Sequence, residues 1–328
     1  MSIHSRKNSH IQICLKESVQ SEIMNGFEKY RLIHEALPEK DFHQFDISTS
    51  FLGKKISAPL MISSMTGGTE SGETINRHLV EAAVKEQIPF AIGSMRIYLE
   101  QNRLPELRKL RDHAIAIPIL ANIGAVQLNY GLKIDQIKQI VDSVEADALI
   151  LHLNAIQEVF QHAGDLNFSD LLRKIEKVRS QSDVPVIIKE VGFGFSVETA
   201  GKLREIGIEW LDIAGAGGTS WIKVEAARDR SEFTDKMVAP FYSWGIPTAI
   251  SLARIHQAYP DMNLIASGGI RNGVEVCKAE YLGARLSGIA IPLLKPALES
   301  AEAACNVIDQ FKFQYRTAKF CSSGIESI

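Results

Sequence analysis

The sequence predicts an α/β chain closed into a single (β/α)8 TIM barrel, and three observations carry that prediction. From residue 59 onward, eight short apolar runs alternate with helix-patterned segments, the sign of parallel βαβ units. At 328 residues the chain exceeds the common domain size but suits one barrel of about 250 residues with insertions. Polar residues and glycines collect at the C-terminal ends of the runs, where a barrel gathers its active site on one ring. An open doubly wound sheet gives similar local signals but would not bring all eight ends together.

The predicted strands lie at 59–65, 90–94, 118–124, 148–154, 185–192, 210–215, 264–270 and 285–291. Helical patterns fall between them at 74–86, 135–144, 170–180, 197–206 and 273–282. A last helix, at about 297–316, places Leu298, Ala301, Cys305, Ile308 and Phe311 on one face by spacings of three and four. The longest connection follows the sixth strand, carries the charged stretch 223–236, and is expected to cover the mouth. Residues before Ile56 are polar and irregular, and are expected to be flexible alone. The domain reading is one unit: an extension over 1–55, a barrel over 56–316 and a C-terminal tail over 317–328.

Hydrophobic residues make up 45% and charged residues 23%, which places the chain in the ordinary globular class. A net charge of −3 gives no general electrostatic reason to expect nucleic acid or an anionic membrane as partner. Cys14, Cys277, Cys305 and Cys321 are scattered without C-x-x-C spacing, so reduced thiols are the simplest account. The N-terminal stretch never reaches the apolar run of a signal peptide, and no segment is long enough to span a bilayer. The expectation is a soluble, cytoplasmic protein.

The most informative stretch is 148–158, ALILHLNAIQE. Side chains two apart on a strand share a face, so His152 and Asn154 point the same way, followed at once by Gln157 and Glu158. One such polar residue where a strand leaves the core means little. An imidazole, two carboxamides and a carboxylate within seven residues favour a site. The other strand ends are similarly loaded: Ser64 to Gly68, Ser94 and Arg96, Asn122 and Gly124, Lys189, Gly215 to Thr219, and Gly268, Gly269 and Arg271.

The stretch 267–273, SGGIRNG, ends the seventh strand and opens a helix, a place where close-approaching amides and the helix dipole suit a phosphate; residues 288–291 are its partner. Alternation directs Lys189 inward with Ile187, where a cation needs an anionic or electron-rich neighbour. Glu190 points oppositely, toward a helix. Dense glycine in 215–221, GAGGTSW, lets a planar ring lie against main chain, and Glu225 shares a face with Trp221 if that segment is helical. Arg6, Lys7 and His10, on composition alone, read as a solvated terminus.

Taken together, RKNSH, SSMTGG, GSMR, ANIGAVQL, HLNAIQE, IIKEVGFG, AGAGGTSW and SGGIRNG resemble the type 2 isopentenyl-diphosphate isomerases, the flavin-dependent form of that enzyme. The resemblance spans nearly the whole chain in order. It implies a barrel that binds FMN, needs Mg²⁺ and a reductant such as NADPH, and interconverts isopentenyl and dimethylallyl diphosphates; because no residue of that site is an obviously strong acid, reduced FMN is expected to be the acid and base. It implies that Ser64, Met65, Thr66, Ser94, Asn122, Lys189, Thr219, Gly269, Ile270, Arg271, Ala290 and Ile291 bind FMN. Arg6, Lys7, His10, Ser94, Arg96, His152, Asn154 and Gln157 would hold the substrate, and Glu158 the Mg²⁺. Gln157, Trp221, Glu225 and Lys189 would be the catalytic group. The extension then becomes a basic clamp closing over the site, and the family tends toward homo-oligomers, tetramer or octamer.

Two departures stand out: Met95 where the family usually has Gln, and Arg285 where Asp is common. The first is expected beside the flavin or substrate, the second away from the mouth. The competing functions are an FMN oxidoreductase of the 2-hydroxy acid oxidase type and a flavin or diphosphate carrier. The first would need a His base beside an Arg after strand six, and the sequence there offers neither.

Overall fold

The computed structural model describes residues 3–229 and 236–328, with side chains from residue 7 onward. Ahead of the barrel come α1 (Ile3–Lys16), β1 (Tyr30–His34), β2 (Thr49–Phe51) and β3 (Lys54–Ile56). The barrel itself runs β4 (Leu60–Ile62), α2 (Glu70–Lys85), β5 (Phe90–Ala91), α3 (Arg96–Glu100), α4 (Arg108–His113), β6 (Ile119–Gly124), α5 (Ile134–Ser143), β7 (Ala148–His152), α6 (Ala155–Phe160), α7 (Leu171–Gln181) and β8 (Val186–Lys189). It continues through α8 (Val197–Glu205), β9 (Trp210–Asp212), α9 (Trp221–Asp229), α10 (Thr248–Ala258), β10 (Asn263–Ala266), α11 (Gly273–Tyr281), β11 (Ala284–Ile289) and α12 (Ile291–Glu299). The chain ends with α13 (Ala301–Phe320) and β12 (Ser322–Ser327).

Strands β4 to β11 pair in parallel and close on one another, β11 against β4. The eight predicted strands are these eight, in order. All but β6 are shorter at their C-terminal ends, because the polar residues there leave the ladder for the mouth loops. Inside the barrel, Met61, Ala91, Leu120, Ile150, Ile187, Ile265 and Leu286 form one buried apolar cluster. The β2–β3 hairpin turns at Leu52 and Gly53, both at positive φ, and adds Phe51 and Ile56 to that cluster. A two-residue turn of this kind matches the twist of the strands it joins. The barrel is thus filled from below with apolar side chains, and the polar strand ends lie above them.

Three expectations change. The extension is not irregular: α1 docks through Ile11 and Ile13, both buried, so its polar composition conceals an apolar edge. The single last helix is two, because Ser300 is extended (φ −168°, ψ 166°) and its hydroxyl accepts from the Ala303 amide, starting α13 afresh. Leu298 therefore belongs to α12 and is 37% exposed, while Cys305, Ile308 and Phe311 are buried from α13. Finally, α13 continues past Arg316 to Phe320, and β12 pairs antiparallel with β1, so the chain's last residues hold the extension rather than trail away. Part of the charged stretch after the sixth strand forms α9, and 230–235 lie outside the described residues. Among the described residues no helix is long and apolar enough to cross a membrane.

Ser300→Ala should lower the unfolding free energy by about 1 kcal/mol, the usual worth of an N-cap side chain. Urea unfolding checks it; an unchanged midpoint would mean the break between α12 and α13 is set by packing alone.

Candidate active site

The site begins with strand register. Gly124 stands beside His152, His152 beside Lys189 and Lys189 beside Asp212, a row across β6, β7, β8 and β9 at the top of the apolar layer. Lys189 Nζ lies 2.7 Å from Asp212 Oδ2 and donates to Ser267 Oγ at 3.1 Å. Ser267 in turn donates to the other Asp212 oxygen. Asp212 is fully buried, whereas Lys189 and Ser267 line the cavity above. The inward cation foreseen in the sequence has its anion in Asp212, a residue sequence reasoning missed. The signal was present: WLDIAG puts an aspartate at the end of the next strand, in reach of Lys189.

Glu190 faces away from the cavity, as alternation requires, but reaches no helix. One of its carboxylate oxygens accepts from the amides of Val191, Gly192, Phe193 and Gly194 and so shapes its own loop. Burial pushes its pKa up to about 7 against those amides.

His152 Nδ1 lies 2.8 Å from Asn122 Oδ1. An amide oxygen only accepts, so this contact selects the Nδ1–H tautomer and leaves Nε2 as an acceptor toward the mouth. Burial, then Lys189 and Lys7, lowers the imidazole to about 4. Asn154 donates to Glu158 Oε1 at 2.8 Å, and its own Oδ1 is buried without a partner. The other Glu158 oxygen accepts from Gln161 and from the Asp165 amide, each at 2.8 Å.

Across the mouth, Glu225 is buried on α9 within 3.1 Å of both His10 Nε2 and Arg228 Nη1, with Gln157 Nε2 at 3.4 Å. The His10 ring meets Trp221 edge-on at 5.2 Å, so Trp221 and Glu225 do share a helical face. Burial raises the Glu225 pKa, but His10, Arg228 and Gln157 outweigh it and hold the carboxyl below its usual value. Gln157, Trp221 and His10 line the cavity; Glu225 stands behind them.

Ser64, Met65, Thr66, Ser94, Asn122, Thr219, Gly269, Ile270, Arg271, Ala290 and Ile291 line the same cavity, as do Lys7, Arg96, Asn154 and Glu158. Every predicted site residue with a described side chain is therefore gathered at one mouth, with Glu225 one layer behind. Arg6 has no described side chain. The α1 helix brings Lys7, whose Nζ donates to the carbonyls of Gly67 and Ser94 at 2.8 and 2.9 Å. Met95, by contrast, is buried in the core and does not line the cavity, which explains an apolar residue there. Arg285 is exposed at the start of β11, away from the mouth as expected.

The glycine-rich loops depart from expectation in one respect. A Cβ on Gly218 would lie 2.6 Å from the Gly269 amide, so the two loops pack on each other, and their glycines serve that contact first. The start of α11 is also already satisfied: Asn272 accepts from the Glu275 amide and Gln314 from the Gly273 amide. The start of α12 has no side-chain cap at Ala290, and Ala290 and Ile291 face the cavity. The helix start left without a side-chain cap at the mouth is therefore the one after β11.

The lowered His152 pKa fixes a sign. Between its ordinary 6.5 and about 4 the unfolded chain takes the proton and the folded chain does not. Its stabilising contribution is complete above 6.5 and is lost as pH falls toward about 4. His152→Gln should flatten that part of the stability–pH curve measured by urea unfolding. Equal slopes in the two proteins would mean a charged imidazole in the folded state.

Comparison with known proteins follows the same line. The family model described as FMN-dependent dehydrogenase matches residues 13–102 and 125–318. An isopentenyl-diphosphate delta-isomerase of Nostoc sp. is 44% identical over 97% of this chain and 91% of its own length. One from Rickettsia bellii is 45% identical over 97% of this chain and 93% of its own. Among solved structures, a flavocytochrome b2 variant with pyruvate bound superposes with a TM-score of 0.69 at 17% identity, over 94% of this chain and 77% of that one. A mandelate oxidase variant reaches 0.66 at 14% identity, over 98% and 95%, a likeness of fold alone. The chain belongs to the flavin-dependent isopentenyl-diphosphate delta-isomerases, within the FMN-dependent dehydrogenase family.

Proposed function

We propose that this chain interconverts isopentenyl and dimethylallyl diphosphates, with FMN in the barrel mouth, Mg²⁺ at Glu158 and NADPH as the reductant that primes the flavin. The observation that carries the reading is the wall of Gln157, Trp221 and His10 over the buried Glu225 carboxylate, facing the Lys189 side of the same cavity. An oxidase of 2-hydroxy acids needs a His–Arg pair after the sixth barrel strand. Here β9 leads through small residues to Trp221.

The residues fit the groups they would hold. Ser64 Oγ is buried beside the cavity without a partner, Lys189 presents a cation, and the open start of α12 suits a phosphate. That is a donor set for FMN. Among the described residues no cluster of three or more His, Cys, Asp or Glu could cage a metal. A cation at Glu158 would draw its other oxygens from substrate and water, the habit of Mg²⁺ with diphosphates. The buried Asn154 oxygen points to the same requirement for a positive or donor partner, while the Asn154 amide holds Glu158 in place.

Moving the double bond needs a proton delivered to C4 and one removed from C2, with no net redox change. Bound beside these residues, reduced FMN would supply a proton donor over an electron-rich ring. Lys189, fixed by Asp212, would stabilise negative charge on that side. Lys7, His10 and Arg96, with Arg6, would hold the diphosphate, with Ser94 beside them. Trp221 would shield the cation-like carbon, and Gln157, backed by ionised Glu225, would order the C2 side. A homo-oligomer in the cytoplasm completes the proposal.

Glu158→Gln should raise the Mg²⁺ concentration for half-maximal rate about tenfold or more while keeping the flavin spectrum, because only the metal needs the full charge. An unchanged Mg²⁺ dependence would remove Glu158 from the metal site. The function itself is tested anaerobically: one priming reduction should support many turnovers, and reaction in D₂O should place deuterium in the product. NADPH consumed one-for-one with product would sink the proposal in favour of an FMN oxidoreductase.

A further inference from the structure

We propose that Asp165 is the positioning residue of the diphosphate end of the mouth, aiming Arg96 through its carboxylate and holding Glu158 through its own amide. The proposal rests on the function proposed above. Arg96 Nη1 donates to Asp165 Oδ2 at 2.7 Å, and Gln127 Nε2 donates to the same oxygen at 2.8 Å. The Asp165 amide donates to Glu158 Oε2 at 2.8 Å. One residue therefore ties together the chain after β5, the chain after β6 and the helix after β7.

The backbone is shaped to put it there. Ala163 takes a left-handed φ of 56°, and a Cβ on Gly164 would lie 2.0 Å from the Glu158 carbonyl oxygen. The chain folds directly back over Glu158, which only glycine permits, and Asp165 emerges beside the carboxylate. The other partner of Arg96 is Glu100, whose side chain is 45% exposed, against 16% for Asp165. A pair that open to water orients an arginine weakly. Asp165 is the anchor.

Charge alone argues against a carboxylate here, since it repels a diphosphate. If Asp165 acted only through its field, removing it would tighten substrate binding. If it acts by fixing Arg96 in a fork that meets phosphate oxygens, removing it weakens binding, because that order must then be supplied on binding. The two accounts differ in sign.

The test uses full-length, FMN-loaded protein at fixed Mg²⁺, measuring kcat and KM for isopentenyl diphosphate and calorimetric binding of inorganic pyrophosphate. Asp165→Asn should raise KM about tenfold with kcat within about twofold, weaken pyrophosphate similarly, and leave the flavin spectrum and Tm in place. In an Arg96→Ala background the same substitution should add little, since the residue acts through the arginine. An unchanged or lower KM, or fully additive effects, would overturn the proposal. Should Asp165→Asn fail to hold flavin, Asp165→Glu decides: it keeps the charge and lengthens the arm, so a raised KM supports positioning and a wild-type KM refutes it. Wild-type protein that does not turn over isopentenyl diphosphate would refute the proposed function instead, and pyrophosphate binding would still judge Asp165.

Discussion

The ion pair between Lys189 and Asp212 sits at the boundary between the apolar filling of the barrel and its polar mouth. Its carboxylate is out of water altogether, and its ammonium is 8% exposed toward the cavity. Removing one member of such a pair strands a buried charge, commonly at a cost of about 3–5 kcal/mol. Two residues earlier on their strands, Ile150 and Ile187 belong to the apolar cluster inside the barrel, while His152 stands beside Lys189 in register and Ser267 bonds both members of the pair. The pair therefore fixes the depth of the site floor. It also fixes its chemistry: the cation is held by the fold before any ligand arrives, so little reorganisation is needed when negative charge develops beside it.

The opposite boundary is the roof, built from the chain's first residues. Helix α1 has little apolar surface and could not stand alone, but Ile11 and Ile13 are buried, as is Val19 just beyond its end, and Lys7 is tied to two mouth carbonyls. Further along, β1 pairs with β12, so the extension is clamped at its far end by the C-terminus. Arg316, on α13, adds a contact to the Phe45 carbonyl. The extension is thus held at its root by strand pairing and at its tip by the contacts of Lys7 with the Gly67 and Ser94 carbonyls.

The barrel was legible because its evidence is repeated: eight runs of one period, each ending in polar residues, leave few other architectures. The mouth was legible for the same reason, since strand ends of a barrel converge whatever their sequences. What escaped was whatever depends on a partner distant in sequence. Asp212 looks like the end of one more strand until Lys189 is placed beside it in register, and Asp165 looks like loop until Arg96, 69 residues earlier, reaches it. The glycines of 215–221 read toward a ligand in the sequence, yet each stands against another part of the chain: Gly215 against Thr248, Gly217 against Asn25 and Gly218 against Gly269. The break at Ser300 escaped because the helical period runs across it; only the cap and the prolines of α12 betray two helices.

The barrel fold is shared with flavocytochrome b2 and mandelate oxidase at 14–17% identity. Fold alone therefore does not choose between hydride removal and double-bond migration. What chooses is the wall opposite the cation. An oxidase must place a base and an arginine there to draw a proton from a hydroxy acid while a hydride leaves. This chain places an indole and a carboxamide, with the Glu225 carboxylate behind them, 3.1 Å from both His10 Nε2 and Arg228 Nη1. Such a wall tolerates transient positive charge on carbon and offers no strong nucleophile to trap it. Arg96 and Glu158 line the same cavity and are tied to one another through Asp165.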